Sequence, residues 1–533
     1  VIGASAVERG RRLGEWIAGS VRRAAIAWGA VTLVLLVALS GAPGISRDEA
    51  AVLDASDASL GVAEQPPSPA PPLPAALARA TRAVLSPLGV PSLRGARAAT
   101  AVEGALLSAG IVALGWEVGG AAVALLAPAL FWAAPRHLHA GLVVLPDLLL
   151  ATLAVALALA WRRATLEPDR RRRLRAALAA GVLFGAALAT RADAWPLHAA
   201  LALEAALVSA LRVRPSAAGG PGGTRIALAA LAVLGPGLLA ISWPALFSSA
   251  AARSAALGLP AGGAAVHALG AAATGGVLVA TFPLAVIALT VPLALLLALA
   301  AGPIHAAFRL GRAVAGRAPR EDAGAELLLL ALALVPLAAA ATGVAPRAGG
   351  VRPFLQAMPF LAVLGARALL SASRLAWPSR RAPLAASLAL LVLWPAARAS
   401  AHFHPSGGAA WNELAGGPPG AASMGLPREE GGEAVVRLLE AIDARARAGA
   451  RIWWPTASPA AVRTLSRDGR LRADLSIASS PEEADLAVVT LDRASRDDEY
   501  RAWAAFRSAR PVAGAYLDEV PLAFVYAAPG AWR

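Results

Sequence analysis

The sequence has no cysteine and no lysine in its 533 residues, and only 5% of it is aromatic. The first absence excludes disulfides and thiolate-bound metals, and it leaves the redox compartment unreadable. The second means that all 49 basic residues are arginine, and these give a formal net charge of +15. In a soluble protein that excess would suggest nucleic acid. Here the arginines stand in short segments between apolar runs, so they read as topology signals and no nucleic-acid partner is expected. The G-x-x-x-x-G-K-[ST], G-x-S-x-G and H-E-x-x-H patterns are also missing. P-loop nucleotide hydrolysis, the nucleophile elbow and zinc-peptidase chemistry therefore have no motif here.

What is abundant is apolar sequence, 57% of the chain. It falls into runs long enough to cross a hydrocarbon core of roughly 30 Å, and their Ala, Leu and Val content reads as helix. The expected fold is an all-α membrane bundle of about eleven transmembrane helices with a small C-terminal extracytoplasmic α/β domain. The candidate spans are 24–42, 98–115, 118–134, 140–161, 176–190, 196–211, 226–247, 272–298, 325–343, 353–370 and 383–399. Arginines before the first span and after the fourth, sixth, eighth and tenth all fall on one side if the N-terminus is cytoplasmic. The expected division is a membrane domain, 1–399, with an external loop, 43–97, and an external domain, 400–533. Its address is then a bacterial-type plasma membrane. The first run could also be a signal peptide ending at Ser40-Gly41-Ala42, but it is long for that role. In the tail, 432–448 has helical spacing. Segments Arg451–Trp454, Asp485–Leu491 and Leu522–Tyr526 read as strands, with a helix near 497–508.

The stretch GAPGISRDEAAVLDAS, Gly41–Ser56, places Asp48 and Glu49 directly after the first span. Ser46-x-x-Glu49 fits a capping box, in which Glu49 returns to the Ser46 amide. Adjacent helical residues point about 100° apart, so a capping Glu49 leaves Asp48 free. A free carboxylate at the membrane surface can act as general base on an acceptor hydroxyl. Outer-side arginines are few. Arg136, Arg191, Arg347 and Arg352 stand at expected outer ends of spans, where a guanidinium can either grip a lipid phosphate or snorkel to head groups. Asp147 lies early in its span, as a second acid, a support for Asp48 or an interfacial residue. Asp193 is close enough to Arg191 for a local ion pair. The His137-x-His139 and His402-x-His404 pairs lack an obvious third ligand, so they read as helix-end histidines and not as metal sites.

Several of these segments, in order, resemble the GT-C glycosyltransferases, polytopic enzymes that take sugars from polyprenyl-phosphate donors. They are Asp48-Glu49-Ala50; Pro71-Pro72-Leu73; Pro87 to Ser92 with Arg97; Pro146-Asp147; Arg352 to Pro359; and His404-Pro405 with Trp411 to Ala421. The bacterial protein O-mannosyltransferases and the aminoarabinose transferase are of this type. The resemblance implies catalytic roles for Asp48 and Glu49, donor-phosphate contacts from Arg352, Arg347, Arg136 or Arg191, and support from Asp147, Asn412 and His404. It implies a polyprenyl-phosphate-linked sugar and membrane lipids as partners, with a glycan, lipid or protein acceptor. No cofactor is certain, and a divalent cation at Asp48 and Glu49 stays open. Ala70 stands where relatives carry Lys or His. Two other classes compete: a lipid or solute transporter, and a non-catalytic relative that binds a partner through its tail.

Overall fold

The computed structural model describes residues 15–58, 71–213, 222–248, 266–268, 271–273, 277–319, 323–342, 350–376, 378–429, 431–491 and 496–533. Ala70 and Arg347 lie outside them. Among the described residues, nine helices are long and apolar enough to cross a membrane. Each of the eleven expected spans falls on helix, with three differences. The runs 98–115 and 118–134 join in one helix, Ser92–Trp132, interrupted at Gly120, whose φ of 75° only glycine adopts without strain. The run at 196–211 is a 15-residue helix, Pro196–Ala210, short for a crossing. From Val277 on, the run 272–298 is two helices, Val277–Thr290 and Leu293–Val314, parted at Pro292; it starts on the short strand Ala271–Ala273, and 274–276 lie outside the described residues. A proline has no amide to give and pushes its predecessor out of the α region.

Small residues let the helices approach closely. A Cβ on Gly302 would lie 2.6 Å from the Gly365 amide nitrogen, so Leu293–Val314 and Arg352–Ala376 meet nearly backbone to backbone. The fully buried Trp161, Phe131, Phe354 and Phe360 fill the wider gaps of this core. Toward the arginine-bearing ends, buried Glu326 lies 3.0 Å from Arg309 and 3.1 Å from Arg367, so three helices share one carboxylate.

The tail forms a five-stranded mixed sheet. Its order is Ser476–Ile477, Arg451–Trp453, Leu486–Thr490, Val520–Ala527, Ala513–Leu517. The three expected strands and the helix, Arg496–Phe506, are all present. The strand Ala513–Leu517 is paired antiparallel to Val520–Ala527. Leu486–Thr490 is buried at every position, as a central strand should be.

This sheet-bearing segment is bolted to the membrane bundle. The Asp468 carboxylate accepts from the amides of Ser92 and Leu93 at 2.8 and 2.9 Å, capping a membrane helix from 376 residues downstream. Glu433 meets His139 at 2.7 Å, and the Gly431 carbonyl accepts from the Arg47 amide at 2.9 Å. Gly44 lies so close to the Glu433 carbonyl that no side chain fits there.

Candidate active site

Helix Arg47–Ala58 starts where the sequence predicts, with the Ser46 Oγ accepting from the Glu49 amide at 3.0 Å. The other half of the expected capping box does not form. Glu49 is fully buried, and its carboxylate accepts from Arg97 Nε at 2.8 Å, from Arg97 Nη2 at 2.6 Å and from the Val144 amide at 2.9 Å. A bidentate guanidinium in a dry site outcompetes the return bond to Ser46. Arg97 is itself fully buried, and it also donates to the carbonyls of Ser40, Pro43 and Gly44 at 2.7, 3.0 and 2.6 Å. All five of its N–H groups are used, so Arg97 folds the turn from the first span into the Asp48 helix. Glu49 is the counter-ion of that hub.

Asp48 behaves differently. Its side chain is 56% exposed, and it faces Arg352, whose Nη1 donates to it at 2.7 Å. Arg352 Nε donates at 3.0 Å to Asp147, whose side chain is fully buried. The other Asp147 oxygen pairs with Arg191, and Arg191 grips Asp193 through Nε and Nη2 at 2.9 and 2.8 Å. A chain of alternating charge, Asp48–Arg352–Asp147–Arg191–Asp193, thus links four segments at one end of the bundle. Local sequence places each member. Pro146 at the first helical position sets Asp147 in the first turn, where the helix dipole favours an anion. Arg191 ends Arg170–Thr190, and Arg352 opens the 3-10 turn before Met358–Ala376.

The remaining expected site residues are elsewhere. Arg136 is buried: its Nε donates to the Ala410 carbonyl at 2.9 Å, and its guanidinium lies 4.8 Å from the Trp411 ring centre. These contacts hold the chain after the last span. Asn412 is a strut. Its Nδ2 donates to the carbonyls of Ala288 and Val291, each at 2.6 Å, and its Oδ1 accepts from the amides of Leu414 and Ala415. It seals the helix break at Pro292, while Glu413 accepts from the Leu293 amide at 3.0 Å. His404 follows the helix Arg381–Phe403; its partial burial, and then the nearby His139, lower its pKa. Asn412 thus braces the break between two membrane-end helices. Among the described residues no group of three or more acidic or histidine side chains is placed to hold a metal.

Sequence reasoning missed the hub. The signal was an arginine at the very edge of an apolar span, Arg97, which calls for a partner when buried.

This architecture, a helical bundle with its acidic residue on the loop after the first span and a sheet-bearing tail packed over that loop, is the GT-C fold. The structure is similar to that of ArnT, an aminoarabinose transferase from Cupriavidus metallidurans, in the apo state: TM-score 0.54 and 13% identity over 94% of this chain and 97% of that one. The same enzyme bound to undecaprenyl phosphate gives a TM-score of 0.48 at 14% identity, with the same coverage. An oligosaccharyltransferase of Archaeoglobus fulgidus in the apo form gives 0.45 at 15% identity, over 78% of this chain and 58% of that one. No protein-family model matches the sequence, and no curated protein matches it.

Proposed function

We propose that the protein is an integral-membrane glycosyltransferase that moves a sugar from a polyprenyl-phosphate donor to an acceptor on the side occupied by the sheet-bearing tail. The observation that carries this reading is the exposed Asp48 held 2.7 Å from Arg352, with Arg352 braced by the buried Asp147. One accessible carboxylate beside one oriented guanidinium is what a displacement at an anomeric centre requires. The carboxylate takes a proton and the guanidinium receives the leaving phosphate.

In the resting arrangement Asp48 is held by Arg352, so its carboxylate is not free to meet an acceptor. A donor phosphate competes with Asp48 for Arg352 and carries the same sign of charge. Its arrival draws Arg352 to itself and releases Asp48 next to the sugar. Asp48 then removes the proton of an acceptor hydroxyl or amine, and the acceptor atom attacks the anomeric carbon. The bond from that carbon to the phosphate oxygen breaks with its electron pair, and polyprenyl phosphate departs against Arg352 and Arg191. A single displacement inverts the anomeric centre. Asp147 holds both arginines throughout. In this reading the N-terminus is cytoplasmic and the tail extracytoplasmic in a bacterial-type plasma membrane, as the arginine distribution implies. The acceptor is a lipid, glycan or protein.

The test is transfer from labelled polyprenyl-phosphate sugars by purified wild type, Asp48→Asn and Arg352→Gln protein. Transfer by wild type that both substitutions abolish supports the reading. Transfer that Asp48→Asn leaves intact removes Asp48 from its role.

A further inference from the structure

A cavity lies away from the Asp48 cluster, at the junction of the last span, the helix break at Pro292 and the tail. It is a groove of about 550 Å3 whose lining includes Trp394, Arg398, His402, Trp411, Glu413 and Asp518. Asp518 is tied to His402 at 2.9 Å. Glu413 uses Oε2 on the Leu293 amide, and no hydrogen bond or ion pair is formed by its Oε1 among the described residues. Arg398 has no hydrogen bond or ion pair among the described residues, although it lines a groove that also holds two carboxylates.

The groove continues onto the outer face of the last helix. Leu391, Trp394, Arg398 and His402 follow at spacings of three, four and four, so they form one stripe. At a rise of 1.5 Å per residue the stripe is about 16 Å long. That is roughly half the thickness of a hydrocarbon core of about 30 Å. It begins with exposed leucines, 64% at Leu390 and 65% at Leu391, and passes through Trp394 at 67%. It ends in charge at Arg398 and His402. The order apolar, tryptophan, arginine is that of a lipid seen from tail to head group.

We propose that this groove binds one phospholipid whose head group carries both a phosphate and a primary ammonium. Arg398 takes the phosphate through charge-assisted bonds. Glu413 and Asp518 accept from the ammonium. A purely anionic head group meets two carboxylates of its own sign, whereas a zwitterion with N–H donors satisfies both signs of the lining. The bound lipid wedges the last span, the broken helix and the tail together, and it is neither donor nor acceptor. The site stands apart from the proposed transfer chemistry and does not depend on it.

The experiment is lipid retention measured by native mass spectrometry after incubation with vesicles of phosphatidylcholine doped with phosphatidylethanolamine or with phosphatidylglycerol, and, separately, with inorganic phosphate alone. The variants are Arg398→Gln, Arg398→Lys and Glu413→Gln, each first shown to melt as wild type does. Wild type is expected to retain phosphatidylethanolamine about tenfold over phosphatidylcholine, which has the charge but no N–H, and Arg398→Gln to lose that retention by about tenfold. Arg398→Lys is expected to keep part of it, and Glu413→Gln to narrow the preference over phosphatidylglycerol. Equal retention of the three lipids overturns the proposal, as does retention untouched by Arg398→Gln. Displacement of the lipid by inorganic phosphate at equal concentration reduces the site to a simple anion pocket and also overturns it.

Discussion

Asp48 and Arg352 are 304 residues apart in the chain and 2.7 Å apart in space, and Asp48 is the exposed end of the charge chain they share. In the proposed reaction, the base is thereby held at rest by the group that receives the leaving phosphate.

Asp48→Asn keeps a hydrogen-bonding partner for Arg352 and removes the base. Sugar transfer is expected to fall by about 10²- to 10⁴-fold. Because Asp48 is exposed, thermal stability should stay close to wild type. A variant that loses activity and melting temperature together would point to a structural role instead.

Arg352→Lys keeps one charge but not the fork that spans Asp48 and Asp147. Transfer efficiency, kcat/KM, is expected to drop by roughly ten- to a hundredfold, the size of one charge-assisted bond. Full activity in the lysine variant would show that point charge suffices.

Arg97→Leu or Glu49→Leu alone leaves a bare charge in a dry site and should cost about 3–5 kcal/mol. The double substitution removes both charges and should recover a large share of that loss. The check is thermal melting in detergent for the two single variants and the double. If the losses simply add, the pair is not the coupled hub described above.

Asn412→Asp replaces a donor amide with a carboxylate facing the carbonyls of Ala288 and Val291. It should destabilise more than Asn412→Ala, which loses the bonds without adding repulsion, by about 1–3 kcal/mol. Hydrogen exchange around 286–295 reads the effect locally, and the reverse order of the two variants would sink the strut assignment.

His404 has its pKa lowered by burial and then by His139, so the folded state favours its neutral form. A group that binds its proton less well when folded stabilises above its unfolded pKa and loses that contribution as pH falls. Melting temperature should therefore decline as pH drops through about 6.5, the ordinary histidine value. His404→Gln should flatten that decline, and an unchanged slope would assign it to other groups.

Much of this molecule could be read from its residues. Long apolar runs are written plainly in sequence because the membrane forces continuous hydrophobicity, and arginine placement gave their ends. The strand Ala513–Leu517 was not legible. Its hairpin turns on Asp518 and Glu519 with φ of 47° and 67°, where the usual Asn-Gly or Asp-Gly signal is missing. In the site, Asp48, Arg352, Asp147 and Arg191 were each legible from position, since a charge at the mouth of a span needs a reason. Their linkage was not, because pairing depends on which helices neighbour one another. Glu49 was misread for the same cause: a capping box is local, and the arginine that outcompetes it stands at Arg97, 48 residues away.

Asp468 caps the helix that begins at Ser92, and it is made 376 residues later. The carboxylate that caps this helix is therefore supplied only after all the membrane-length helices among the described residues have been made. Loss of the chain from Asp468 onward would remove that cap without cutting any of the membrane-length helices among the described residues.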